Sequence, residues 1–249
     1  MILVISGCGE QPILSSIDNS KITHQLEVKQ VLKLPEQKPS LPEQEPSEDG
    51  LVTVNNPTSI EVLLNKQRKL PDGYVPEDLV VPNVPFYFDE YLPKKQMRQE
   101  AATALEQLFY ASNEQAGLNL VAASGYRSYA TQKQIYENNV KTKGEAHANQ
   151  FSAKPGTSEH QSGLAMDVTT ADVGFSLVQS FKETEEGTWL AEHAHEYGFI
   201  IRYLEGKSDI TGYAYEPWHC RYVGTEMATE IYEQGVTLEE FFGFTPNVS

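Results

Sequence analysis

The string SEHQSGLAMDV, Ser158 to Val168, constrains this chain more than any other stretch. It sets His160 and Asp167 seven positions apart on either side of a small turn at Gly163. Leu164 to Val168 is short, apolar and suited to a strand, so a turn feeding a strand lets the two donors converge. EPWH, Glu216 to His219, follows about fifty residues later. Two imidazoles and a carboxylate are donors that Zn²⁺ accepts, and three protein ligands leave a fourth position for water. Glu216 stands three residues before His219, where a carboxylate that need not bind metal can take a proton from that water. Taken singly these residues prove little: a lone buried histidine is more often a hydrogen-bonded core residue, and Asp167 alone could cap a strand end. His193 and His195 lie two apart on an expected helix, roughly 200° around its axis, and cannot converge on one ion. His24 and His147 fall in linker or loop. No HExxH occurs, which excludes the helix-borne metalloprotease site but not zinc hydrolysis in general.

Three blocks in order make a more specific pattern. Ser158, His160, Gly163, Ala165 and Asp167 spell SxHxxGxAxD; Glu216 to His219, inside YEPWHCRYVG, spell ExxH; and SGYRSYATQ upstream carries Arg127. In these blocks the chain resembles the VanY-like D-alanyl-D-alanine carboxypeptidases, zinc enzymes that trim bacterial peptidoglycan stem peptides. They sit within the wider lysostaphin, D-Ala-D-Ala peptidase and hedgehog group, and the resemblance covers about Asn65 to Gly224. It implies one zinc per chain held by His160, Asp167 and His219, Glu216 as catalytic base, and Arg127 binding or polarising the substrate. It also brings Ser158 and Gln132 near the peptide. Tyr126, Tyr213 and Trp218 are candidate cleft walls, although Trp218 could equally be a core aromatic.

Composition bounds the alternatives. A chain of 249 residues with 39% hydrophobic and 10% aromatic content buries one substantial core. The net charge of −16 and pI near 4.8 leave no basic patch for a nucleic-acid backbone, so no nucleic-acid partner is expected. Two cysteines, Cys8 and Cys220, exclude a disulfide framework and a Cys-rich structural zinc site. Cys220 reads as a small buried residue of the strand around His219.

MILVISGC resembles a lipobox ending at Cys8, with no basic n-region and an apolar run shorter than the ~7–15 residues of a signal core. Residues 1–8 are read as a shortened lipoprotein signal with a lipid anchor at Cys8, and residues 9–55, rich in Pro, Glu, Gln and Ser, as a disordered linker. Residues 56–249 are the expected catalytic domain. Periodicity predicts a helix from Lys95 to Ala116, a strand from Leu118 to Ser124, a helix from Tyr129 to Lys141 and one from Gly187 to Tyr197. A hairpin of Phe199–Tyr203 and Tyr213–Val223 follows, then helices at Thr225–Gln234 and Leu238–Phe242. Pro217 inside the second hairpin strand implies an edge or a bulge, and a bulge would turn Glu216 and His219 to one side. The fold class is α+β: a small central antiparallel sheet with flanking helices, as the resemblance to hedgehog and D-Ala-D-Ala peptidases also implies.

The expected function is a zinc carboxypeptidase removing C-terminal D-alanine from peptidoglycan stem peptides at the bacterial envelope, as a monomer. A crosslink endopeptidase shares the chemistry. A zinc-stabilised binding module is the reading from another class, disfavoured because a structural zinc needs no base beside it.

Overall fold

The computed structural model describes Leu41 and residues 45–244, all within the unit Lys38–Ser249. Its strands are β1 (Val52–Thr53), β2 (Arg68–Lys69), β3 (Leu79–Val80), β4 (Met97–Arg98), β5 (Val121–Ser124), β6 (Ala165–Thr169), β7 (Phe199–Tyr203) and β8 (Glu216–Tyr222). Its α-helices are α1 (Gln99–Ala116), α2 (Tyr129–Lys143), α3 (Glu145–Phe151), α4 (Glu185–His193), α5 (Ser208–Thr211), α6 (Thr225–Gln234) and α7 (Leu238–Phe241). Strands β5, β6, β8 and β7 form, in that order, an antiparallel four-stranded sheet, while β1 with β2 and β3 with β4 form two small ribbons. The α+β class expected from the sequence is the class observed.

Strand β6 is buried at every position, because it lies inside the sheet and is covered on both faces. Helix α1 lays Ala101, Ala102, Leu105, Leu108 and Phe109 into the main core beside Met166, Val168, Leu190 and Phe199. Gly117 closes it in the left-handed conformation, at φ 71. A second apolar cluster joins Ile200 of β7 to Ala228 and Ile231 of α6 and Leu238 and Phe241 of α7. The C-terminal helices are therefore packing elements, as their periodicity predicts.

Two differences from the sequence expectation have local causes. Helix α1 starts at Gln99 rather than Lys95, because Pro93–Lys95 form a 3-10 turn and Met97 pairs with Val80. The Arg98 amide then donates to the Gly163 carbonyl at 2.8 Å, so sheet pairing captures residues the apolar stripe had assigned to the helix. Cys8 and most of the expected linker lie outside the described residues, yet the linker's end does not: Val52–Thr53 pair with Arg68–Lys69, and Val54 is buried. Of the two settings expected for Pro217, the edge is excluded, since β8 runs between β6 and β7. It sits in a bulge. The β7–β8 register shifts between Ile201, opposite Cys220, and Tyr203, opposite Glu216. A residue without an N–H is tolerated there because the ladder is already broken.

Candidate metal centre

Register is what brings the donors together. Asp167 of β6 lies directly opposite His219 of β8, and a cross-strand pair shares one face of a sheet with Cβ atoms about 4.5–5.5 Å apart. His160 comes from the turn just before β6, a 3-10 helix over Glu159–Ser162 that ends at Gly163 with φ 71. A Cβ on Gly163 would fall 2.9 Å from Arg98 Cγ, so the tight turn that swings His160 over the strand needs glycine there.

Both rings are oriented from behind. His160 Nδ1 bonds the Gly125 carbonyl at 2.9 Å, and His219 Nε2 bonds Glu159 Oε2 at 3.2 Å. That leaves His160 Nε2 3.4 Å from Asp167 Oδ2 and His219 Nδ1 3.0 Å from Asp167 Oδ1. One donor atom from each residue fits within a 4.8 Å span, and all three residues are buried. Tetrahedral zinc with bonds of ~2.0–2.2 Å needs donors roughly 3.3 Å apart, so the separations and the two-nitrogen, one-oxygen set fit that ion. Burial pushes His160 down to about 3, which keeps the imidazole neutral and its lone pair free for a metal. Burial acts the same way on His219, but hydrogen bonds to Asp167 and Glu159 outweigh it and lift His219 to about 9.

Glu216 approaches from the bulge, its Oε2 3.8 Å from His219 Nδ1 on the side facing Asp167. Burial pushes its carboxyl up to about 7, against the pull of His219 and Arg127, so its proton is exchangeable at neutral pH. Arg127 lies at the turn between β5 and α2. One terminal nitrogen donates to Gln132 Oε1 at 2.9 Å and the other to Ser124 Oγ at 3.3 Å, so each keeps a second N–H to offer. Arg127, Ser158, His160, Asp167, Tyr213, Glu216, Trp218 and His219 all line one cavity of about 220 Å³.

Two expected wall or substrate residues lie elsewhere. Gln132 is fully buried; its amide donates to the Ala153 carbonyl at 2.7 Å while its oxygen takes the Arg127 bond, so it orients Arg127 instead of touching the cavity. Tyr126 is buried and absent from the lining. Trp218 does both things its sequence context allowed, packing on the main core and lining the cavity. His193 and His195 stay apart from the centre, paired with Glu196 and stacked on Tyr232 respectively.

Sequence reasoning missed Glu159. Its carboxylate is buried; Oε1 accepts from Arg202 Nε at 2.7 Å and an Arg221 terminal nitrogen at 2.6 Å, while Oε2 faces His219. Burial opposes its charge, but the two guanidinium groups hold its pKa well below the usual carboxylate range. Arg202 also makes two bonds to Glu239 of α7, at 2.8 and 2.6 Å. The signal was present in FIIRY and HCRY, where arginines inside apolar strands demand a buried counter-charge.

A neutral histidine, a carboxylate and a second histidine converging beside a desolvated glutamate and an oriented arginine define a metallopeptidase centre. A family model described as VanY, D-alanyl-D-alanine carboxypeptidase, matches residues 94–225. The chain is 50% identical over 194 residues to the putative carboxypeptidase YodJ of Bacillus subtilis, covering 78% of this chain and 71% of that one. Among solved structures, the LdcB LD-carboxypeptidase superposes with a TM-score of 0.77 at 46% identity, covering 83% of this chain and 98% of that one. A mutant of the vancomycin-resistance D,D-pentapeptidase VanY in complex with Zn(II) gives 0.60 at 35%, covering 74% and 98%. This chain belongs to the VanY family of D-alanyl-D-alanine carboxypeptidases. It is a metallo-carboxypeptidase.

Proposed function

We propose that the protein removes the C-terminal D-alanine from peptidoglycan stem peptides outside the cell, using one zinc per chain held by His160, Asp167 and His219. The observation that carries this reading is the donor triangle with Glu216 Oε2 3.8 Å from His219 Nδ1. Bound zinc would supply Lewis acidity, lowering the pKa of a coordinated water toward ~7 and polarising the scissile carbonyl. Glu216 takes the proton from the attacking water and passes it to the departing D-alanine amine. Arg127, pre-oriented by Gln132 and Ser124, presents a fork to the substrate's terminal carboxylate and fixes the last peptide bond over the centre. The greater likeness to the LD-carboxypeptidase than to the D,D-enzyme supports an L,D bond as the one cut.

Digesting defined tri-, tetra- and pentapeptide stems, each with a free or an amidated C-terminus, tests the reading. Release of D-alanine from free tetrapeptide stems, with amidated stems cut far more slowly, is the expected result. Replacing Arg127→Lys should damage cleavage of the free stems, because a point charge does not reproduce the fork. Equal rates on free and amidated stems move the assignment to crosslink endopeptidase action. Fractionation of cells making the natural product checks the location, and a wholly cytosolic protein contradicts that part of the proposal.

A further inference from the structure

The metal cavity is polar at its floor and apolar at its mouth. Its charged lining residues, Arg127, Glu159, Asp167 and Glu216, are buried or half-buried. Among the residues that line it, those open to solvent are Ile135, Phe151 and Leu177, at 37%, 47% and 38% exposure. Single exposed apolar side chains are ordinary on a protein surface. Three that converge on the mouth of one cleft, in a chain of net charge −16, form a contact surface.

The three come from separate elements, each held in place. Ile135 stands three residues after Gln132 on α2, so it shares the helix face that orients Arg127 and lies about 4.5 Å farther along the axis. Phe151 ends α3, its ring centroid 4.6 Å from that of His147. Leu177 follows Ser176, whose carbonyl accepts from the Thr169 hydroxyl of β6 at 3.1 Å.

The size of the cavity says which part of a substrate reaches this rim. A volume of about 220 Å³ has room for roughly seven waters at ~30 Å³ each. A terminal D-alanine with its carboxylate on Arg127 takes up most of that space, and its side chain is a single methyl, too small to cover three large apolar groups. The residue before the scissile bond is the next to meet the mouth. Because no lining residue there carries an exposed charge, the rim fits methylenes, and a charged group at the far end of such a side chain stays in water.

We propose that Ile135, Phe151 and Leu177 select a long aliphatic side chain on the residue before the scissile bond, so that a stem with lysine or norleucine there is cut in preference to one with alanine. This rests on the carboxypeptidase reading and gives its L,D preference a physical basis, since the residue before a D,D bond between two alanines offers only a methyl.

The test measures kcat/KM of the zinc-loaded protein on stems ending in L-norleucyl-D-alanine, L-lysyl-D-alanine and L-alanyl-D-alanine, for the parent and for Phe151→Ala and Leu177→Ser. The norleucine and lysine stems should each be cut about tenfold faster than the alanine stem, as partial burial of the added methylenes supplies. Both variants should bring that ratio toward one. Equal rates in the parent overturn the proposal. So does a fall of all rates together in the variants, which leaves the ratio in place and marks a general disturbance of the centre. A preference for lysine that norleucine does not share also overturns it, because the mouth would then be reading charge. If no stem is hydrolysed, the carboxypeptidase reading fails by itself. Calorimetric titration of the zinc-loaded Glu216→Gln protein with the same stems then decides the rim: tighter binding of the norleucine and lysine forms, diminished by adding Phe151→Ala, sustains it, and equal affinities overturn it.

Discussion

Glu159, fully buried, and Glu216, partly buried, are both within reach of His219, yet their surroundings give them opposite work. Among the described residues no guanidinium is bonded to Glu216, and burial raises it to about 7. Glu159 is clamped by Arg202 and Arg221 and stays ionised. Glu216→Gln should therefore cut turnover at least ~10²-fold while metal content, measured by elemental analysis, remains at the parent level. Glu159→Gln should do the reverse first, weakening zinc affinity about 10–100-fold through loss of the group that orients His219. Glu239→Gln is the control, since Glu239 meets the same Arg202 without touching His219. An equal loss of zinc affinity in both would make Glu159 a stability residue only. The convergence of His160, Asp167, His219 and Glu216 was legible because each sits in a spaced motif. Glu159 was not, because its role depends on arginines some 40 and 60 residues away that only the fold brings to it.

At the scale of elements, the centre is only as well placed as the turns beneath it. Gly125 follows β5 and its carbonyl holds His160, while a Cβ at that position would lie 2.4 Å from the Gln96 carbonyl oxygen and 2.8 Å from Met166 Cε. Gly125→Ala has to push the turn away from the 93–98 segment, which should cost about 1–3 kcal/mol. Thermal unfolding should register this at roughly 2–4 °C per kcal/mol for a domain of this size. Zinc affinity should fall in the same protein, because the His160 acceptor moves with the turn; an unchanged melting temperature and affinity would refute the steric argument. Element types were mostly readable from periodicity and punctuation. The small N-terminal ribbons were not, since two-residue strands such as Val52–Thr53 leave no pattern of their own and exist only through their partners.

For the molecule as a whole, two apolar clusters contain none of the three donor residues, one under α1 and the sheet, the other under α6 and α7. Stripping zinc with a chelator should thus leave the far-ultraviolet circular dichroism unchanged and lower the melting temperature. The loss should approach about 2.7 kcal/mol relative to protein held at a hundredfold excess of zinc over its Kd, and return when zinc is restored. Collapse of the secondary structure on chelation would show instead that the metal is part of the fold. No helix among the described residues is long and apolar enough to cross a membrane.

The ion pairs between Arg202 and Glu239 reach from the sheet that bears Asp167 and His219 to α7. Arg202 and Glu239 are fully buried, and removing one partner of a buried pair typically costs ~3–5 kcal/mol because the other is stranded. A chain clipped ahead of Leu238 keeps His160, Asp167, Glu216 and His219 but leaves Arg202 with Glu159 alone as counter-charge. The strand that carries Arg202 beside the candidate centre thus depends on a charge supplied by α7, not by the sheet itself.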